Sequence, residues 1–494
     1  MRHLLFAALF LALSAPTLSA PALAADEKSA DKIEPTPLPA DKTVRQSAVI
    51  GGKALSYDVT VGTIPVENAK GKKIGEVVYT AYTVPNRGAG RAVTFAFNGG
   101  PGAASAFLNL GAIGPKRVQF GAQGDAPSDS AVARDNPNSW LDFTDLVFID
   151  PIGTGFSRTL EEDADTKRDF YTAKTDIEYL SRVIFDWLNK NGRMTSRHYL
   201  VGESYGGYRV PRVAYYLQSR LGVGLNGITM VSPYLNPQAV DGDDNALSPL
   251  PYMVSLPSMA AANLERQGKL SSPASLAEVE AYDRGEFATD LFRGRSDPQA
   301  IERLTAKVSA YTGLDPALVR RSEGRIDIRT YLREIHRREG KIGSIYDSNV
   351  TAYDPFPGAA DQRSNDPILD AIIAPTTSAA VDLMTNQVGW KVNARYNLLS
   401  YDVNSAWDRD NSDSPVADLR KAIANDPKMQ VVIAHGMDDL SCPYFASRLI
   451  IDQMPSFGVA QRVNLNLYAG GHMFYSRGES AQEFRRDAMA MYSK

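Results

Sequence analysis

The chain has 494 residues, 44% of them hydrophobic and 22% charged, which is ample material for a large buried core. A formal net charge of −4 gives no sign of a nucleic-acid partner or a basic membrane patch, and neither is expected. The single cysteine, Cys442, excludes an intrachain disulfide and a lipid-bearing cysteine near the N-terminus.

Residues 1–24 read as a secretory signal peptide: Arg2 and His3 open it, 4–13 is apolar, and Ala22-Leu23-Ala24 is a small-x-small cleavage site. No later segment is expected to cross a bilayer, so no membrane anchor is expected. An exported chain without disulfides suits a bacterial periplasm, with release to the medium as the alternative. Residues 25–46, with Pro35, Pro37 and Pro39 alternating, are expected to be a disordered linker.

From 47 to 85, alternating runs at 55–61 and 74–84 predict an antiparallel meander. A different rhythm follows. Short apolar runs at 93–97, 146–149, 199–201, 228–231 and 431–434 each lead into a loop rich in Gly, Pro, Asp or Ser. Between two of them, Ala173, Ile177, Leu180, Ile184 and Trp187 mark one helix face. Strands alternating with helices predict an α/β fold with a doubly wound, mostly parallel sheet, its chemistry in loops at the strands' C-terminal ends.

The core is expected in two parts, 47–235 and 413–494, with a mainly helical insertion, or cap, over 236–412. Within the insertion, Asp297-Pro298 and Asp315-Pro316 supply helix starts, and Ser275 with Glu278 a capping box. A last strand, Val463–Tyr468, precedes a closing helix with Ser480 and Glu483 as its capping pair.

One stretch organises the rest. Gly202-Glu203-Ser204-Tyr205-Gly206 fits G-x-S-x-G, with an apolar run before it and Val210, Val213 and Leu217 at helical spacing after it. That is the pattern of a nucleophile elbow, in which a sharp strand-to-helix turn exposes the serine.

A serine nucleophile needs a base, and the base an acid to orient it. His198 lies inside a predicted strand, and His336 is expected on a solvated helix face. His435 ends a strand ahead of any nearby acid. His472, in Ala469-Gly470-Gly471-His472, sits in an open turn after the last strand and is the expected base. For the acid, Gly436-Met437-Asp438-Asp439 offers two adjacent aspartates, either able to orient His472, or else a solvated turn. Oxyanion donors are expected from the N–H of Tyr205 and from the loop Asn98-Gly99-Gly100-Pro101-Gly102.

Together these segments resemble the serine carboxypeptidases, α/β-hydrolase-fold peptidases that remove C-terminal residues. The resemblance rests on Asn98 to Gly102, on Asp150-Pro151-Ile152-Gly153-Thr154-Gly155-Phe156-Ser157, on the elbow, on the acid loop running from Gly436 to Cys442, and on Gly471-His472-Met473. It implies a triad of Ser204, Asp439 and His472, since the family's acid stands three before a cysteine. It also implies oxyanion donors at Gly100 and Tyr205, and substrate contacts at Asn98, Gly99, Glu203 and Met473, with Asn98 and Glu203 on the terminal carboxylate. The family's Trp two before the Asn is Ala96 here, and the Glu of its Glu-Leu-Gly-Pro stretch is Ala112. The implied substrates are peptides with a free C-terminus, with no metal or cofactor. The rivals are an acyltransferase using the same acyl-enzyme chemistry and a non-catalytic binding protein on the same fold.

Overall fold

The computed structural model describes residues 36–493 except 86–87, 89, 119–125, 236–247, 360–363, 410–413 and 457–461. The expected signal peptide, the first half of the linker and both insertion boundaries therefore lie outside the described residues.

Nine strands run through one sheet: β1 (Lys42–Ile50), β2 (Lys53–Glu67), β3 (Lys73–Thr83), β4 (Ala92–Phe97), β5 (Thr144–Ile149), β6 (His198–Glu203), β7 (Gly227–Val231), β8 (Gln430–Gly436) and β9 (Val463–Tyr468). Their order is β1-β2-β3-β5-β4-β6-β7-β8-β9, and the two-residue strand Arg158–Thr159 also pairs with β3. The pairs from β1 through β5 are antiparallel and those from β5 to β9 parallel, so this is an α/β fold with a mostly parallel sheet. The linker expectation needs correcting at its end. Lys42 to Gln46 pair in register with Tyr57 to Val61, and Val44 packs against the core.

The inner parallel strands are apolar on both faces, as strands covered by helices on both sides must be, whereas the edge strand β9 alternates Asn464 and Asn466 with apolar residues. Leu200 and Ile433 point into one core, Val201 and Ala434 into the other. The first core is closed by α1 (Ala173–Lys190), α2 (Tyr205–Tyr216) and the helix Pro415–Asn425. The Thr172 side chain starts α1 by accepting from the Thr175 N–H at 3.1 Å. The closing helix Gly478–Tyr492 covers the other face through Phe484, Ala488 and Met491. It begins before the expected capping pair, and Ser480 bonds the Ala469 carbonyl instead.

Between the two core parts, α3 (Leu250–Arg266) and the helices Pro298–Thr312, Pro316–Arg321 and Ile328–Glu334 build a third apolar cluster. Asp297 and Asp315 cap their helices as their spacing predicts, whereas the Ser275 hydroxyl pairs with Ser271. The expected insertion is not one layer apart from the sheet. The helix Pro367–Val381 packs into the sheet's core, and Asn397 and Leu399 form bridges with Gly155 and Ala103. The 21 residues Pro367–Gln387 also meet the length and apolarity of a membrane span, contrary to expectation. Ile368, Ile372, Ala379 and Leu383 of that stretch are buried against the sheet's core.

Candidate active site

Parallel strands present all their C-terminal ends along one edge. Adjacent β4, β6, β7, β8 and β9 therefore bring Asn98, Ser204, Ser232, Asp439 and His472 to one rim. Residues 374 positions apart in sequence become neighbours by sheet order alone.

Ser204 stands between β6 and α2 with φ 60° and ψ −121°, a conformation a non-glycine residue adopts only under constraint. The constraint is visible. Its N–H donates to the Val231 carbonyl at 2.9 Å, and its own carbonyl accepts from Gly207 and Tyr234. A Cβ at Gly202 would strike the Gly206 carbonyl, so the turn tolerates no side chain there. Ser204 itself is half-buried, while its neighbours in the turn are buried.

His472 is buried, with Nδ1–H donating to Asp439 Oδ2 at 2.8 Å. Its backbone is fixed on both sides: the N–H donates to the Tyr346 carbonyl at 2.6 Å, and the carbonyl accepts from Ser232 Oγ at 2.8 Å. Asp439 Oδ1 accepts from the N–H groups of Ser441 and Cys442 at 2.8 and 2.9 Å. Burial lowers the imidazole's proton affinity, but the facing Asp439 carboxylate outweighs it and holds His472 well above the ordinary histidine range. Burial likewise raises Asp439, opposed by His472. The Cys442 thiol lies against the same ring.

The other histidines are elsewhere engaged. His198 bonds the Arg193 and Gly224 carbonyls. His336 is buried rather than on a solvated face, because Nε2 reaches the Ser348 carbonyl at 2.8 Å. His435, fully buried, bonds Ser447 Oγ and is pushed down to about 3 by burial and by the nearby His472 charge.

On the oxyanion side, Gly99 is pressed against the elbow: a Cβ there would stand 2.5 Å from the Tyr205 nitrogen. Tyr205 is the first residue of α2, so its N–H is one of the helix's unsatisfied donors. Gly100 is exposed in the same loop, and Met473 is buried beside His472. Asn98 Nδ2 donates to Glu203 Oε2 at 2.6 Å, and Asn98 Oδ1 accepts from the Leu108 N–H, which fixes the amide's orientation. Glu203 is 2% exposed, and its other oxygen accepts from the Tyr475 hydroxyl at 2.7 Å. Burial raises its pKa, opposed by the His472 charge and by these two donors.

Asp438 departs from a solvated turn. It is fully buried and faces Asp347 of the loop after the strand Lys341–Gly343, Glu265 of α3, and Arg477. Arg477 bonds both Glu265 and Asp347. Among the described residues these three acids are the group whose oxygens, within 4.8 Å of one another, could hold a cation, and Arg477 stands among them.

Sequence reasoning missed Tyr475 and the buried pair of Asp176 and Arg209, whose Nε–Oδ2 distance is 2.7 Å. Arg209 also donates to the Asn98 carbonyl. Asp176 carried a signal: it stands among the residues that mark the apolar face of α1.

A family model described as serine carboxypeptidase matches residues 60–480. The chain is 31% identical over 150 residues to serine carboxypeptidase-like 36 of Arabidopsis thaliana, covering 29% of each chain. It is 30% identical over 196 residues to the pheromone-processing carboxypeptidase KEX1 of Ogataea parapolymorpha, covering 39% of this chain and 27% of that one. These alignments thus span less than a third of the curated relatives' own length. In structure the chain is similar to the prohormone-processing carboxypeptidase Kex1 of Saccharomyces cerevisiae. The TM-score is 0.58 at 16% identity, over 88% of this chain and 91% of that one, a likeness of fold.

Proposed function

This chain belongs to the serine carboxypeptidase family, matching its model over residues 60–480, and from that premise we propose that it hydrolyses C-terminal peptide bonds through an acyl-enzyme on Ser204. The observation that carries this is the Asp439–His472 hydrogen bond, set on the same sheet rim as a serine in a strained elbow. With Nδ1–H committed to Asp439, the Nε2 of His472 is the base once it has given up its own proton. It takes the Ser204 proton as Oγ attacks the scissile carbonyl carbon. The N–H groups of Gly100 and Tyr205 receive the resulting oxyanion. The tetrahedral intermediate collapses, His472 gives its proton to the leaving amine, and water repeats the sequence on the ester.

Asn98 and Glu203 meet the substrate's terminal carboxylate, with Gly99 and Met473 along its path. A carboxyl group can accept an anion beside it only when protonated, which burial of Glu203 favours. The core parts 47–235 and 413–494 carry the chemistry, and side-chain preference lies in the insertion 236–412 together with loop side chains. Residues 1–24 direct export, with the periplasm as the compartment that suits a chain whose one cysteine is buried.

Blocked dipeptides with free and with amidated C-termini test this directly. The free acids are expected to be cleaved and Ser204 to be labelled by a fluorophosphonate. Preference for the amides, or equal cleavage of both, would reject the exopeptidase. Transfer to added alcohol in preference to water would make the protein an acyltransferase.

A further inference from the structure

The carboxylate of Glu203 receives one strong donor on each oxygen, and the two donors come from opposite ends of the chain. Asn98 opens the oxyanion loop after β4, and its Nδ2 stands 2.6 Å from Oε2. Tyr475 lies in the turn three residues after His472, and its hydroxyl stands 2.7 Å from Oε1. Glu203 itself immediately precedes Ser204. All three side chains are at most 2% exposed, so water does not compete for these bonds.

The turn that carries Ala112, where the resemblance expects a carboxyl, packs against the turn of Tyr475. Among the described residues, no second carboxyl shares a hydrogen bond with Glu203 there. A phenol is the donor on that oxygen instead, and its own proton affinity is driven far up by burial and by Glu203. It therefore stays a donor at every pH the protein meets.

We propose that Tyr475 is a positioning residue: its hydroxyl registers the base-bearing turn of His472 to the Glu203 carboxylate, and through it to the Ser204 elbow and the Asn98 loop. Tyr475 adds a side-chain fastening to the backbone bonds that already hold His472. The backbone N–H and carbonyl of His472 are held by Tyr346 and Ser232, which fix its position in the loop. The Tyr475 bond ties the next turn directly to the residue before the nucleophile. A shift of about 1 Å between base and nucleophile can cost two decades of rate, which is the scale of effect a lost clamp has.

This rests on the proposed triad, and the test is chosen to read the triad without a peptide substrate. A neutral fluorophosphonate carries no terminal carboxylate, so its saturation constant KI and its limiting rate kinact report only access and alignment. Tyr475→Phe keeps the ring and deletes the hydroxyl. The expected result is a fall in kinact of roughly tenfold to a hundredfold with KI within about twofold. Glu203→Gln keeps an amide oxygen for the phenol and is expected to retain more kinact than Tyr475→Phe does. An unchanged kinact in Tyr475→Phe, or a loss confined to KI, overturns the proposal. If that variant does not fold, Glu203→Ala removes the acceptor instead, and an ordinary kinact there overturns it equally. A wild-type protein that takes the label but leaves free-acid dipeptides intact defeats only the carboxypeptidase function. One that takes no label defeats both.

Discussion

Asp438 and Asp439 are consecutive and fully buried, yet one loop delivers them to different partners. Asp439 accepts from two backbone N–H groups and from His472, so every bond it makes suits an anion. Asp438 meets two further acids and a single guanidinium, so its environment favours a proton.

The two aspartates should consequently fail in different ways. In Asp439→Asn the two backbone donors keep the amide oxygen, which turns the NH2 toward His472 Nδ1 and forces the wrong tautomer. A loss of about 10⁴ in kcat with an unchanged melting temperature is expected. Asp438→Asn should leave kcat within severalfold. Steady-state rates of both folded variants check this, and equal losses would remove the distinction.

Asp438 should instead govern stability against pH. Burial, then Asp347 and Glu265, raise its native pKa well above the ordinary aspartate value of about 3.9. The native state thus keeps a proton that the unfolded chain releases, and this contribution is lost as pH climbs through the raised value. Melting temperatures are expected to decline over that climb in the wild type and to decline less steeply in Asp438→Asn, where Asp150 and Asp283, raised to about 7 and about 8, still contribute. An identical slope in both would contradict the assignment.

Glu203 should set an alkaline limit for free-acid substrates. Its raised native pKa means kcat/KM falls as pH rises through that value, because the ionised form repels the substrate's carboxylate. Glu203→Gln is expected to flatten this limb for free acids and to leave the shape of the pH profile for amidated substrates unchanged. The check is a pair of pH profiles for each protein, and an unchanged free-acid profile would take Glu203 out of the carboxylate site.

Ser204→Ala and His472→Ala should each lower kcat by a similar factor, on the order of 10⁴ or more, since triad members act as a unit. His435→Gln should retain turnover within a few-fold, because a histidine pushed down to about 3 and bonded to Ser447 is neutral and occupied. Near-native turnover in His472→Ala would move the base elsewhere.

Asp176→Asn leaves the Arg209 guanidinium charged in a dry site, at a cost of about 3–5 kcal/mol. The paired change Asp176→Leu with Arg209→Met should recover much of that. Urea unfolding of the wild type, Asp176→Leu, Arg209→Met and the double variant measures the coupling, and additive losses would show that the pair does not interact as drawn.

What the sequence disclosed was what local rules dictate. A G-x-S-x-G between an apolar run and a helical stripe needs only neighbouring residues to specify the elbow, and the Gly202–Gly206 approach is that local demand met. His472 stood out as the one late histidine in a glycine turn. Asp438 was misjudged because nothing within the loop betrays Glu265 or Asp347, which arrive from 173 and 91 residues away. Tyr475 reads as one more aromatic in Met473-Phe474-Tyr475, since its partner is 272 residues distant. His336 was misplaced for the same reason: a charged helix end gives no hint of a carbonyl waiting at Ser348.

The segment after the short strand Lys341–Gly343 supplies carbonyls to both loops that bear the acid and the base: Ile345 to the Leu440 N–H at 3.1 Å, and Tyr346 to the His472 N–H at 2.6 Å. Helical caps on such sheets invite treatment as interchangeable modules, to be exchanged between homologues for a new specificity. Here a chimera that swaps the whole region makes two backbone acceptors under the catalytic loops depend on how the incoming backbone is placed. A graft that stops short of residue 344 leaves them in place. The boundary for recombination therefore lies inside the insertion and not at its ends.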